Sequence, residues 1–282
     1  MVYNVYPPSQ ELEHIVRQIV VIDSFDNIDK MLFIPNGGNF ILFNRGIKGF
    51  FHSQNNDNFI KIYPGYCITK KTHRVKRVIL DPKNNLKTQN FPIIAVELLP
   101  LGFYKLFKTD FLSDNIHYLK LSKEIKTKYF SDLYKHNTIE EEISYLNDSL
   151  KSLYLSHENE HLCIEDVIRK ISDEYHYDVS VENLLREFNC SRSTMERQFK
   201  KIVGLTPKKF IFVGKFCKTL LSYVNDDCTF KELPYHYSDS SHMNAVFKKF
   251  IGLTPSETVD DVKSKKILIY QAKQVGAQRF ED

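Results

Sequence analysis

One nine-residue phrase occurs twice in the chain and restricts its fold more than any other feature. Residues 199–207 read FKKIVGLTP and residues 247–255 read FKKFIGLTP, so the copies differ only at two adjacent apolar positions. We call the sequence separation of Phe247 from Phe199 the repeat interval. Glycine after an apolar helical face is typical of a helix end, and Thr-Pro is typical of the start of the next helix. The repeat therefore predicts the same helix end and helix start at two places.

The residues before the first copy complete a helix-turn-helix pattern. Residues 179–198 read VSVENLLREFNCSRSTMERQ, in which Ser180 and Ser191 suit the N-caps of two short helices and Asn189 suits the turn between them. The second helix has a polar and basic open face, formed by Arg192, Ser193, Glu196, Arg197 and Lys200. A helix of this kind after a tight turn is the part that enters the major groove in DNA-binding proteins.

A second motif of the same kind precedes the second copy. Residues 229–246 read TFKELPYHYSDSSHMNAV, with Ser238 as the predicted N-cap of the second reading helix. Its open face is predicted to carry Ser240, Ser241, Asn244 and Lys248. The pattern between the motifs predicts a helix over residues 207–222, about 24 Å long at about 1.5 Å per residue. Such a helix suits two reading helices placed in major-groove segments about 34 Å apart.

Residues 164–262 with both motifs resemble the AraC/XylS family of bacterial transcription regulators. The resemblance implies a domain of about seven helices that binds double-stranded operator DNA, with RNA polymerase as a further partner of an activator. Two departures precede the second reading helix, where Pro234 replaces a small helical residue and His236 replaces the usual glycine. They leave an alternative open, a degenerate adaptor that acts through protein contacts and binds DNA weakly or non-specifically.

The resemblance also implies a role for each matching position. Base reading falls to Ser193, Glu196, Arg197, Ser240, Ser241 and Asn244. Phosphate contacts fall to Arg192, Thr194, Lys200, Lys201, Lys208, Lys209 and Lys248. Arg197 suits guanine O6 and N7 and Glu196 suits cytosine N4, whereas Ala245 offers only a methyl contact to thymine.

The N-terminal third is predicted to be rich in strands. MLFIP, NFILFN, FIKIY, VKRVIL and FPIIAVELLP are short β-branched or aromatic runs, and the glycines of residues 36–38 predict a hairpin between the first two. This part resembles the cupin-like sensor domain of one AraC-type subgroup, which implies a small-molecule effector. The predicted fold class is α+β with two domains, a β-rich cupin-like barrel with flanking helices and an all-α domain with two helix-turn-helix motifs.

The predicted organisation has four segments. They are a sensor domain at residues 1–125, a helical segment and linker at 126–161, the DNA-binding domain at 162–262 and a tail at 263–282. Within the second segment an apolar seam with spacings of 4, 3, 4 and 3 is formed by Ile139, Ile143, Leu146, Leu150 and Leu153. Such a seam fits packing on the sensor domain and fits a homodimer equally well.

Composition narrows the function classes. The net charge of +4 permits a polyanionic partner, and the five scattered cysteines favour reduced intracellular thiols. The resemblance implies a cytoplasmic protein associated with the nucleoid. We expect no membrane span and no secretion signal. We also expect no catalytic residue, no cofactor and no metal site, since His52 and His73 stand alone and no catalytic motif occurs.

Overall fold

The computed structural model gives the chain a β-rich N-terminal part and a helical C-terminal part. It describes residues 3–22, 30–33, 39–44, 49–53, 59–62, 65–69, 76–80, 93–108, 118–157, 161–174, 176–224, 239–264 and 267–270. None of the helices in these ranges combines the length and the apolar character that crossing a bilayer requires.

The described strands form two sheets. In chain order they are β1 Tyr3–Tyr6, β2 Val16–Ile22, β3 Lys30–Phe33, β4 Asn39–Asn44, β5 Gly49–Ser53, β6 Phe59–Ile62, β7 Gly65–Thr69, β8 Lys76–Leu80, β9 Ile93–Leu98, β10 Tyr118–Lys120 and β11 Ile267–Tyr270. One sheet has the order β1-β2-β9-β4-β7-β10 and the other the order β11-β3-β8-β5-β6. All neighbours are antiparallel except β11 and β3, which run parallel.

The strands that flank residues 36–38 do not pair with each other, so the predicted hairpin is wrong. β3 pairs with β8 and β11, whereas β4 pairs with β7 and β9 in the other sheet. The glycine-rich segment therefore joins two sheets, because the long-range pairings override the local turn signal; residues 34–38 themselves lie outside the described residues. In the described part no strand of one sheet pairs with a strand of the other, and the cupin-like barrel stays a prediction.

In the described residues three α-helices accompany the sheets, α1 Gly102–Phe107, α2 Lys123–Tyr129 and α3 Ile139–Leu155, together with a short 3-10 helix, Gln10–Leu12. Thr138 begins α3 with a capping box, since its hydroxyl accepts from the Glu141 N–H at 3.2 Å and the Glu141 carboxylate accepts from the Thr138 N–H at 3.3 Å. The seam residues Leu146 and Leu150 are fully buried in one core with Ile41 and Ile94 of the six-stranded sheet. The seam of α3 is thus used for packing within the molecule.

The helical part contains two cores that meet along one long helix. Its elements are α4 Cys163–Arg169, a π-helical turn Lys170–Glu174, α5 Val181–Glu187, α6 Arg192–Ile202, α7 Pro207–Val224, α8 Ser240–Phe250 and α9 Pro255–Lys263. Phe210 of α7 belongs to the core of α4, α5 and α6, and Phe216 of α7 belongs to the core of α8. α7 therefore fixes the two helix-turn-helix units relative to each other.

Candidate nucleic-acid interface

The first motif is built as its sequence predicts. The Ser180 hydroxyl accepts from the Asn183 N–H at 3.1 Å and begins α5, and the Ser191 hydroxyl accepts from the Thr194 N–H at 3.2 Å and begins α6. Asn189 adopts a left-handed φ of 43° in the turn between them. Asparagine tolerates this conformation better than most residues do. The predicted role of Asn189 in the turn is therefore confirmed.

α6 presents one apolar and one polar face. Met195, Phe199 and Ile202 are buried in the core, at most 5% exposed. Arg192, Ser193, Arg197, Lys200 and Lys201 are exposed, and Thr194 and Glu196 are half-buried. Because Ser193, Glu196, Arg197 and Lys200 follow the i, i+3, i+4, i+7 spacing, they lie along one side of the helix.

The second reading helix begins one residue later than predicted. Asp239 is the N-cap of α8, and its carboxylate accepts from the His242 N–H at 2.7 Å. Ser238 therefore does not cap this helix, and it lies outside the described residues. The repeat carries the signal for the correct position, because Asp239 follows the first cap, Ser191, by the same repeat interval that separates Phe247 from Phe199.

The two reading helices match position by position at this interval. Met195 and Met243 are both buried, as are Phe199 and Phe247. The open-face pairs are Ser193 with Ser241, Glu196 with Asn244, Arg197 with Ala245 and Lys200 with Lys248. Ser240, Ser241, Ala245 and Lys248 are exposed and Asn244 is half-buried. The structure thus presents both sets of predicted reading residues on matching helix faces.

The repeated phrase forms the same junction twice. Gly204 and Gly252 have left-handed φ values of 80° and 84°, which suits glycine at a helix end. The Thr206 hydroxyl accepts from the Lys209 N–H at 3.3 Å, and Thr254 forms a capping box with Glu257. Both predicted junctions are confirmed. The segment 225–238 before α8, with Pro234 and His236, lies outside the described residues.

α7 carries a close contact that explains its glycine. Gly214 is buried, and a Cβ built there would lie 2.0 Å from Cδ1 and 2.4 Å from Cγ of Tyr177. Tyr177 has a left-handed φ of 67°, and burial raises the pKa of its hydroxyl to about 12. The Tyr177 ring also contacts the Phe210 ring at 5.8 Å between centroids. Only glycine lets α7 approach this ring.

Two of the predicted phosphate-binding residues have partners within the protein. Arg192 donates to the Glu182 carboxylate at 2.6 Å, with both side chains at least half exposed. The pKa of Glu182 is lowered, first by its own backbone N–H and then by the Arg192 guanidinium. The Thr194 hydroxyl accepts from the Ser191 hydroxyl at 2.9 Å, within the cap of α6.

The other predicted phosphate contacts form an exposed basic set: Lys200, Lys201, Lys208, Lys209 and Lys248. In the described part of the chain no carboxylate pairs with them, and the same holds for Arg197. By contrast, Lys215 pairs with Asp178 at 2.9 Å, and burial lowers the pKa of Lys218. The available positive charge therefore lies on α6, on α8 and at the start of α7.

The N-terminal part contacts the DNA-binding domain through α1, chiefly at α4, which precedes the first motif. The Lys105 ammonium pairs with the Glu165 carboxylate of α4 at 2.6 Å, and the two side chains are 6% and 19% exposed. Glu165 also accepts from the Leu162 N–H at 2.9 Å at the start of α4. Leu101, just before α1, belongs to the same core as α4, α5 and α6. Sequence reasoning missed this contact, because nothing local marks a lysine as an interdomain residue.

Comparison with known proteins agrees with the geometry of the two motifs. Residues 184–261, from α5 into α9, match the family model described as a helix-turn-helix domain. The chain carries an AraC-type helix-turn-helix domain. A domain of this type binds DNA in transcription regulation, and the matched residues include both α6 and α8.

Other comparisons are weaker than this domain match. No curated protein sequence matches the chain. ToxT from Vibrio cholerae is similar at 12% identity over 92% of this chain and 97% of that one, with a TM-score of 0.48. The form of ToxT bound to an unsaturated fatty acid is similar at 12% identity over 92% of this chain and 94% of that one, with a TM-score of 0.42. The AraC-like transcriptional activator CuxR is similar at 12% identity over 70% of this chain and 80% of that one, with a TM-score of 0.22. These values are too low to transfer a ligand or a mechanism to this chain.

Proposed function

We propose that the chain is a sequence-specific transcription regulator that reads two segments of major groove with α6 and α8. The observation that carries this proposal is the matching of the two helices in cap, buried face and open face, always at the repeat interval. A pair of helical hairpins with a purely structural role would not need two polar faces in register. α7, with 18 residues, is about 27 Å long and spaces the motifs on the scale of adjacent groove segments.

The two helices are proposed to differ in what they read. On α6, Arg197 suits guanine and Glu196 suits cytosine, so this helix favours G·C pairs. On α8, Asn244 suits adenine and Ala245 suits the thymine methyl, so this helix favours A·T pairs. The exposed lysines of α6, α7 and α8 add phosphate contacts that hold the register on the duplex.

We propose further that the N-terminal part controls the DNA-binding domain. The Lys105–Glu165 pair and the packing of Leu101 support this role, since both join α1 to α4 next to the first motif. A small-molecule effector and a homodimer remain proposals without a described site. The adaptor alternative depends on Pro234 and His236, which lie outside the described residues.

The test begins with an operator selected by the protein from random duplexes, followed by affinity measurements across salt. We expect Arg197→Ala to cost about 1–3 kcal/mol and to relax the preference at one base pair. Lys209→Ala is the matched control, expected to weaken all sequences equally and to reduce the salt slope by about one. Uniform weakening by Arg197→Ala, or normal affinity in a folded variant, would refute its role as a base-reading residue.

A further inference from the structure

The chain segment after the second motif returns to the N-terminal part. β11 pairs in parallel with β3, in the register Ile267 with Lys30 through Tyr270 with Phe33. The sequence predicted residues 263–282 only as a tail. The structure makes four of these residues an outer strand of the five-stranded sheet.

This pairing restrains the second helix-turn-helix unit. α9 ends at Lys263, and from Ser264 to Ile267 the chain can span at most about 11 Å. Val259 and Val262 of α9 pack on the core that contains Phe247 of α8. The second reading helix is therefore linked to the edge of β3 through α9 and a very short connection.

The first unit is held at a different place. There the Lys105–Glu165 pair and Leu101 join α1 to α4. The N-terminal part thus contacts the DNA-binding domain at both ends of that domain, at α4 and just after α9. The α4 contact includes a buried core, whereas the contact after α9 is a strand pairing.

β11 has the properties of an element that can detach. It has four residues, it lies at the edge of its sheet, and β3 is its only described neighbour in that sheet. Parallel pairs are slightly less stable per residue than antiparallel pairs, and short edge elements open at low free energy. The described core of the second unit is formed by residues of α7, α8 and α9 and of the turn between α8 and α9.

We propose that β11 is a releasable clasp that restrains the second helix-turn-helix unit, and that its release increases affinity for DNA. While β11 is paired, both reading helices have positions set by the N-terminal part. Release removes one of the two restraints and lets α8 adjust to its groove segment. Because linkage is reciprocal, DNA binding then favours the released state. The DNA-binding half of this inference rests on the proposed function.

The test compares two proline variants of the full chain. Leu268→Pro combined with Ile269→Pro removes adjacent strand amides, one of which faces β3, since successive amides of a strand point to opposite sides. Ala277→Pro, well beyond the end of the strand at Tyr270, is the matched control. In the double variant only, we expect faster amide hydrogen exchange at residues 30–33. We also expect that variant to bind the operator at least about threefold more tightly, which corresponds to about 0.6 kcal/mol in binding free energy.

A reversible lock gives the opposite perturbation. Met31 and Leu268 are aligned in the register, and neighbouring strands lie about 4.8 Å apart, within the Cα separation of a disulfide. We expect the oxidised Met31→Cys, Leu268→Cys protein to bind operator more weakly and to recover on reduction, unlike either single cysteine variant.

Two results would overturn the clasp. One is unchanged exchange at residues 30–33 in the double proline variant, and the other is faster exchange with unchanged or weaker operator binding. A wild-type protein without sequence-specific DNA binding would refute the proposed function instead. The exchange measurement would then decide by itself whether β11 detaches.

Discussion

Replacing Gly214 by alanine tests how α7 is seated. At an exposed position of a helix, replacing glycine by alanine stabilises the folded state by about 1 kcal/mol, because alanine has the higher helix propensity. Here the new Cβ would lie 2.0 Å from Cδ1 of Tyr177, well inside van der Waals contact. Overpacking costs about 1–3 kcal/mol, and so short a distance places this change in the upper part of that range, at about 2–3 kcal/mol. The Tyr177 backbone is already in a left-handed conformation and has little room to yield. We therefore expect Gly214→Ala to destabilise by about 1–2 kcal/mol.

A double-mutant cycle isolates the contact. In a Tyr177→Ala background the obstruction is gone, so the same glycine substitution should stabilise by about 1 kcal/mol. The sign reversal corresponds to a coupling of about 2–3 kcal/mol between the two positions. Because the chain has no tryptophan, unfolding in urea is best followed by circular dichroism at the helix band. Stabilisation by Gly214→Ala in the otherwise wild-type protein would refute the proposed seating of α7 on Tyr177.

Two further predictions concern ion pairs. Lys105→Met removes the ammonium that lies 2.6 Å from the largely buried Glu165 carboxylate and leaves the His161 ring at 3.9 Å as a weaker partner, so we expect a loss of about 3 kcal/mol in the free energy of urea unfolding. The exposed control Lys123→Met should change little, and equal effects would contradict an interdomain role for Lys105. Glu182→Gln frees Arg192 to bind a phosphate, so we expect the affinity for operator DNA to rise and its salt dependence to become steeper. Glu124→Gln is the control, and weaker binding by Glu182→Gln would show that the ion pair instead positions Arg192 for DNA.

Much of the helical part could be predicted because its signals are local. A cap, a left-handed asparagine and a Gly-x-Thr-Pro junction each act within a few residues, and the structure confirms them in the first motif. The misplaced cap of α8 is instructive, because Ser238 and Asp239 are both good caps by residue type. Only the repeat interval, applied to Ser191, distinguishes them.

The features that sequence reasoning missed depend on distant partners. The period of the α3 seam fits a homodimer and intramolecular packing equally well. Only the position of the sheet residues beside α3 shows that the seam packs within the molecule. The glycines of residues 36–38 fit a hairpin until β3 and β4 are assigned to different sheets. β11 has no local signature of its destination, because a parallel pairing needs no turn between its two strands.

The position of β11 in the chain has a consequence for synthesis on the ribosome. Its partner β3 emerges first, and most of the chain must follow before β11 exists. At about 5–20 residues per second, the edge of β3 stays uncovered for roughly 10–50 s. An uncovered strand edge can pair with other chains during that time. Slow translation of the DNA-binding domain would lengthen this period, so the yield of correctly assembled protein should depend on how fast the message is read from residue 162 onward.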